Sequence, residues 1–204
     1  MGEYIVAVTG ASGAVYARGM LRTLRDLKQN VYLTITEPGC RVIREELSWD
    51  LPDPGNPDFQ AEIKRHLDWP EMQPWLKYFD YRDIGAAIAS GSVRTQGMII
   101  IPCTVSTLSG IAVGTSGNLV ERAADIMLKE RRPLVIVPRE TPLNQVHLKN
   151  MLELARMGVH IVPAAPAFYH HPESIDDLVD FMVGKVLDLL NIEHNLFKRW
   201  EGQE

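Results

Sequence analysis

A chain of 204 residues with 46% hydrophobic and 23% charged side chains has the composition of an ordinary soluble protein, long enough for one sizeable core and without a low-complexity linker to divide it. Its formal net charge of -5 argues against a broad nucleic-acid footprint and leaves room for a local basic pocket holding a small anion. Two cysteines without a CxxC partner do not form a secreted-type disulfide framework; the start Met1-Gly2-Glu3-Tyr4 lacks a signal peptide's basic and apolar regions, and no apolar run reaches membrane-spanning length, so the expected setting is the cytoplasm.

In chain order, Ile5 to Thr9 reads as an apolar strand, followed by Gly10-Ala11-Ser12-Gly13 and a helix whose apolar face is Ala17, Met20, Leu21, Leu24 and Leu27. Val31 to Ile35 is a second strand and Gly39 to Leu47 a second helix. From Asp50 to Asp83, with Pro52, Pro54, Pro57, Pro70 and Pro74, irregular structure is expected, with one short helix near Ala61 to Leu67. Met98 to Ile101 is a third strand ending at Pro102, and helices follow around Thr107 to Val113 and Leu119 to Lys129. Leu134 to Val137, apolar throughout and bounded by prolines, is a fourth strand buried on both faces. Leu143 to Met157 is helical, Val159 to Val162 is a fifth strand, and Ile175, Leu178, Val179, Met182, Val186, Leu189 and Leu190 mark a long closing helix. The alternation predicts an α/β fold: a doubly wound parallel sheet in a Rossmann-like or flavodoxin-like three-layer sandwich, one domain over residues 1–190. The tail 191–204 is polar apart from Leu196, Phe197 and Trp200, so it either packs down or meets another subunit.

Arg139 and Glu140 emerge at the carboxyl end of the fourth strand, where open α/β sheets hold their ligands. Arginine there offers a planar fork suited to phosphate, whereas the plain alternative is an exposed ion pair. The glycine turn brings backbone close to a ligand at a helix N-terminus, or is a tight turn with Ser12 as the helix cap. It is not GxGxxG, which disfavours a nicotinamide dinucleotide. Ser90-Gly91-Ser92 and Pro102-Cys103-Thr104-Val105-Ser106-Thr107 add short hydroxyl donors of the kind a flavin's phosphate and ring edges require, although such clusters also serve as caps. Arg122 and Lys129 fall on nearly the same face of one helix, ordinarily a solvated face. The six histidines have no companions at metal-ligand spacing, so no metal is expected.

These segments in order, TGASG at 9–13, ASGSVRTQGM at 89–98, PCTVSTLSGIAVG at 102–114, NLVERAAD at 118–125, LKERRPLVIVPRETPLNQVHLKNML at 128–152 and PAFYHHPESIDDLVDF at 166–181, resemble the UbiX-type flavin prenyltransferases over almost the whole chain. The resemblance implies transfer of a dimethylallyl group from dimethylallyl phosphate, or the diphosphate, to N5 and C6 of reduced FMN. The product, prenylated FMN, serves UbiD-type decarboxylases. It further implies flavin contacts at Gly10, Ala11, Ser12, Thr36, Thr104, Val105, Ser106, Thr107, Arg122 and Arg139. A donor pocket would hold Ser90, Gly91, Lys129, Arg139, Glu140, Tyr169, Lys185 and Trp200, with catalytic roles for Ser12, Glu46 and Glu140. Glu46, with Glu45 adjacent as the alternative acidic residue, or the released phosphate would be the base for proton loss at C6. Lys185 stands where the family usually has arginine, within a stripe of Leu178, Met182 and Leu189, where a long stem either turns inward or snorkels to solvent. Family members assemble as dodecamers, which would put Trp200 and Arg199 at a subunit boundary. The alternatives are a flavin-dependent cysteine decarboxylase of the same fold, whose PASANT-like stretch and catalytic histidine are not found here, and a carrier that binds FMN without chemistry.

Overall fold

The structure, a computed structural model describing residues 2–199, is built on a six-stranded sheet in the order β3-β2-β1-β4-β5-β6 with every pairing parallel. The strands are β1 (Glu3–Val8), β2 (Asn30–Ile35), β3 (Leu76–Tyr78), β4 (Gly97–Cys103), β5 (Leu134–Pro138) and β6 (His160–Ile161). Seven helices connect them: α1 (Ala14–Asp26), α2 (Glu37–Leu47), α3 (Phe59–Leu67), α4 (Val105–Val113), α5 (Leu119–Lys129), α6 (Gln145–Arg156) and α7 (Ile175–Leu189).

Side chains alternate along each strand, and both faces are apolar. Val6, Val8, Leu33, Ile99, Ile101, Val135 and Val137 pack beneath α1, α2, α3 and α7. Ile5, Ala7, Met98, Ile100, Leu134 and Ile136 face α4, α5 and α6. That two-sided burial makes these strands near-continuous β-branched runs. The predicted three-layer architecture is therefore the observed one. The strand order reverses between β1 and β4, and the crevice outside their carboxyl ends is where such sheets place ligands.

The differences from expectation are local. β3 lies within the stretch read as irregular. It is a three-residue edge strand with only Leu76 buried, too short to show a period. That same stretch is not loose: Leu51, Phe59, Ile63, Leu67 and Trp69 all enter the core, and the Trp69 indole N–H donates to the Pro74 carbonyl at 2.7 Å. α2 starts at Glu37 because Thr36 caps it and proline is tolerated in a first turn. The tail through Arg199 folds back along α7 of its own chain: the Ile192 amide donates to Leu187 at 3.0 Å, and Asp188 accepts from His194 at 3.2 Å and from Arg199 at 2.6 Å. Residues 192–199 thus pack down on α7, one of the two places expected for the tail. Trp200 lies outside the described residues.

Candidate functional site

The carboxyl ends of β1 and β4 are tied together by Thr9, which is buried. Its amide and hydroxyl both donate to the Pro102 carbonyl, at 3.2 and 3.0 Å, and its hydroxyl accepts from the Thr104 amide at 2.8 Å. The β4–β5 register shifts between Ile100 and Cys103, where Pro102 lacks an amide for the ladder. Thr9 thereby fixes the glycine turn against the start of α4. Sequence reasoning had counted Thr9 only as the last strand residue; a hydroxyl ending an otherwise apolar strand was its signal.

Gly13 has φ +111°, a left-handed conformation that glycine adopts without penalty, and it is the capping position of α1. No side chain at Gly13 can satisfy the helix's first amides. Glu46 does so from the last turn of α2: its Oε2 accepts from the Gly13 and Ala14 amides at 2.9 and 2.8 Å, and its Oε1 lies 3.2 Å from Gly13 N. A carboxylate at a helix N-terminus gains from the dipole as well as from the hydrogen bonds. Of the two adjacent acids, Glu46 is therefore the one at the glycine loop, while Glu45 pairs with Arg41 at 2.9 Å on the outer face of α2. Ser12 is exposed and makes no capping bond, so its plain alternative as the α1 cap is replaced by Glu46.

Arg139 leaves the end of β5, where its amide donates to the Cys103 carbonyl at 3.2 Å. Its Nε donates to the Ser12 carbonyl at 3.2 Å. The chain just beyond β1, β4 and β5 is thus held together at the carboxyl edge of the sheet, with Ser12 exposed and Arg139 half-buried there. Among the described residues, no acceptor meets the amides of Gly10, Ala11 and Ser12 or those of Val105 and Ser106 in the first turn of α4. Thr104 and Thr36 reach the same edge, but their hydroxyls are engaged as caps. Thr104 accepts from the Thr107 amide at 3.1 Å and Thr36 from the Gly39 amide at 3.2 Å. Thr107 is buried and lies 3.0 Å, oxygen to oxygen, from Thr104. These three threonines hold the backbone that surrounds the crevice.

Glu140 follows Arg139 and is exposed, with Oε1 accepting from the Thr141 amide at 3.0 Å. Tyr169, in the segment after β6, stands on the same edge, because that segment passes β5 through the Ala164 amide bonded to Pro138 at 3.0 Å. Arg122 sits in the first turn of α5, whose starting amide at Leu119 donates to Tyr81 beyond the carboxyl end of β3 at 2.8 Å. It makes a 3.6 Å pair with Asp125.

The remaining expected donor-site residues are not with Arg139 in this chain. Lys129 ends α5 at the opposite, amino-terminal edge and pairs with Glu130, close to Gly91. Arg132 donates to the Gly91 and Val93 carbonyls there, at 2.7 and 2.5 Å. The length of β5 separates this cluster of Ser90, Gly91 and Lys129 from Arg139 by about 16 Å, so one small donor cannot touch both within a single chain. Lys185 is exposed between buried Gly184 and Val186. Its stem turns to solvent rather than inward, which corrects the inward alternative. A cavity of about 580 Å³ lined by Arg131, Arg132, Met157 and His160 also opens on the amino edge, away from Arg139.

Neither cysteine is poised as a nucleophile. Burial pushes the Cys40 thiol up to about 12 and the fully buried Cys103 thiol higher still. No group of three histidine, cysteine or acidic side chains able to hold an ion comes together among the described residues.

The flavoprotein family model matches residues 2–187. The flavin prenyltransferase UbiX of Halalkalibacterium halodurans is 52% identical, over 100% of this chain and 95% of its own. The enzyme of the same name from Pseudomonas aeruginosa is 43% identical over 97% and 93%. This chain belongs to the UbiX flavin prenyltransferases of the flavoprotein family. Among solved UbiX structures, AnUbiX in complex with FMN and dimethylallyl pyrophosphate superposes with a TM-score of 0.85 at 39% identity, over 100% of this chain and 99% of that one. A dodecameric FMN-dependent UbiX-like decarboxylase from Escherichia coli O157:H7 gives 0.84 at 41%, over 98% and 100%. The peptidyl-cysteine decarboxylase EpiD gives 0.59 at 14% identity, over 94% of this chain and 98% of that one, a likeness of fold alone. UbiX membership thus sets the cysteine decarboxylase alternative aside.

Proposed function

We propose that this chain transfers a dimethylallyl group from dimethylallyl phosphate, or the diphosphate, to reduced FMN, and that prenylated FMN is passed to a UbiD-type decarboxylase. The observation that carries the proposal is the Arg139 guanidinium bonded to the Ser12 carbonyl at the point where the sheet order reverses, beside Glu46, which holds the same loop from the end of α2. The donor set fits a flavin mononucleotide. It offers unmet amides in the glycine loop and at the α4 N-terminus for anionic and electron-rich atoms, a short hydroxyl at Ser12, and the cations Arg139 and Arg122. Glu46 already fills the N-terminus of α1, so the phosphate of the flavin belongs at the α4 end with Val105, Ser106 and Arg122.

Reduced FMN, when bound, supplies the electron-rich nitrogen and carbon that accept the allyl group. Arg139 meets the donor phosphate as its negative charge grows during cleavage of the allylic C–O bond, an electrostatic contribution aimed at the charge that develops. Tyr169 donates a hydrogen bond to a phosphate oxygen, and Glu140 orients the cations around it. Glu46, beside Ser12, takes the proton lost on ring closure. A carrier of FMN would need Glu46 only as the cap of α1 and would have no use for Lys129, Glu140 and Tyr169, which favours catalysis over carriage. Lys129, Ser90, Gly91 and Lys185 then reach the donor only from a second copy in a homo-oligomer, the dodecamer expected from the resemblance. The single domain over 1–190 and the cytoplasmic setting are parts of the same proposal.

Mixing two inactive variants tests it. Arg139→Ala and Lys129→Ala homo-oligomers, each dead alone, should regain turnover when dissociated and reassembled together, because some sites then contain both wild-type residues. If parent protein quenches no FMN fluorescence in an anaerobic titration, the proposed function fails. If it binds and turns over but the mixture stays dead, only the shared site fails.

A further inference from the structure

We infer that the C-terminal segment 192–199 is a positioning element for Tyr169, acting through Phe181; this rests on the prenyltransferase reading above. The Tyr169 ring meets Phe181 of α7 edge-on, with centroids 5.8 Å apart, and the neighbouring His170 stacks on the same Phe181 at 5.1 Å and 4°. Phe181 is in turn covered by Phe197 of the tail at 5.0 Å. One buried ring therefore supports the Tyr169 loop on one side and the tail on the other.

The tail is held where it can do this. Asp188 receives both Arg199 nitrogens, at 2.6 and 3.2 Å, and the imidazole of His194 at 3.2 Å. Arg199, the tail's anchor, also lies over Phe197, 5.9 Å from the ring centre. Gly184 leaves the space: a Cβ there would come within 2.5 Å of the Phe197 ring and 2.6 Å of His194. The other end of the contact has no polar anchor of its own at His170, whose two ring nitrogens are buried without a hydrogen-bond partner among the described residues. That imidazole is placed by packing against Phe181 and the tail, and it lines a cavity of about 310 Å³ with Phe197 and Lys198. Phe168 and Tyr169 themselves are exposed. If Tyr169 donates to the donor phosphate, the setting of its ring depends on a segment that touches neither flavin nor donor.

Phe197→Ala and Phe197→Leu test this in the full-length protein. Alanine should raise the donor KM about tenfold, the scale expected for a slightly misplaced substrate contact, with kcat changed by less than about twofold and FMN affinity unchanged. Leucine, which retains an apolar side chain against Phe181, should restore the KM to within about twofold. In ligand-free protein, chymotryptic cleavage after Phe168 and Tyr169 should accelerate about fivefold in Phe197→Ala while cleavage elsewhere is unchanged, because local opening is governed by local packing. Unchanged donor KM and unchanged cleavage at these bonds would overturn the inference. So would loss of FMN affinity in step with the donor effect, which would mark general damage. If the parent makes no prenylated flavin at all, the functional reading is what fails, and the cleavage rates still decide whether the tail braces the loop.

Discussion

Replacing Glu46 separates its two roles. In the structure its carboxylate accepts from the first two amides of α1 at 2.8 and 2.9 Å, so Glu46→Ala leaves both amides and the positive helix end without a counterpart. Loss of a capping acceptor costs about 0.5–2 kcal/mol, and loss of the charge–dipole attraction roughly 0.3–1 kcal/mol more. A total of about 1–3 kcal/mol lowers the melting temperature by roughly 2–12 °C in a chain of this size. Glu46→Gln retains a carbonyl acceptor and loses the charge, so about 1 kcal/mol or less is expected. The assay is urea unfolding without flavin, at matched protein concentration because the chain is expected to oligomerise. Turnover reads the other role: Glu46→Gln should bind FMN normally and form the ring-closed product about a hundredfold more slowly, as for a lost general base. An unchanged urea midpoint in Glu46→Ala would refute the cap, and normal turnover in Glu46→Gln would refute the base.

Arg139→Lys keeps the charge and loses the fork, so donor use should fall with a penalty of about 1.5–3 kcal/mol, read as kcat/KM across donor concentration; parental kinetics would remove Arg139 from the site. Gly13→Ala, forced to hold φ +111° with its Cβ 2.9 Å from the Tyr16 ring, should cost more than about 1 kcal/mol in urea unfolding. Native protein should show no reactive thiol toward a disulfide reagent at pH 8, since burial holds the thiols of Cys40 and Cys103 protonated, and both of the chain's two cysteines should react after denaturation. Arg199 and His194 hold the Asp188 carboxyl below its usual 3.8. A depressed acid stabilises the fold above the unfolded-state value and loses that contribution as pH falls through its lower folded value. Asp188→Asn should therefore flatten the stability loss below pH 3.8, measured by unfolding at stepped acidic pH.

The layers of this fold could be read from residues such as Ile99, Ile136 and Val137, because strands buried on both faces leave continuous apolar runs with no surface alternation to confuse them. β3 could not, since three edge residues carry no period. At the site, Arg139 was visible because it directly follows such a strand. The Glu46 clasp was not, because it joins residues 33 apart in sequence and depends on how the end of α2 meets the start of α1. Thr36 and Thr104 were expected at the flavin from the resemblance; that their hydroxyls also cap α2 and α4, accepting from the Gly39 and Thr107 amides, depends on which unmet amide lies nearest, which residue type alone does not state. The tail left two readings open for a related reason: its partner Asp188 lies on the chain's own α7, and that pairing is not written in the tail's composition.

The most direct test of prenyl transfer is the mass of the flavin extracted after anaerobic incubation of the protein with reduced FMN and dimethylallyl phosphate. An extracted flavin heavier than FMN by one dimethylallyl unit, absent when donor is omitted and strongly reduced in Arg139→Ala, is the predicted result. Recovery of unmodified FMN alone, with either the monophosphate or the diphosphate donor and with FMN demonstrably bound, would contradict it.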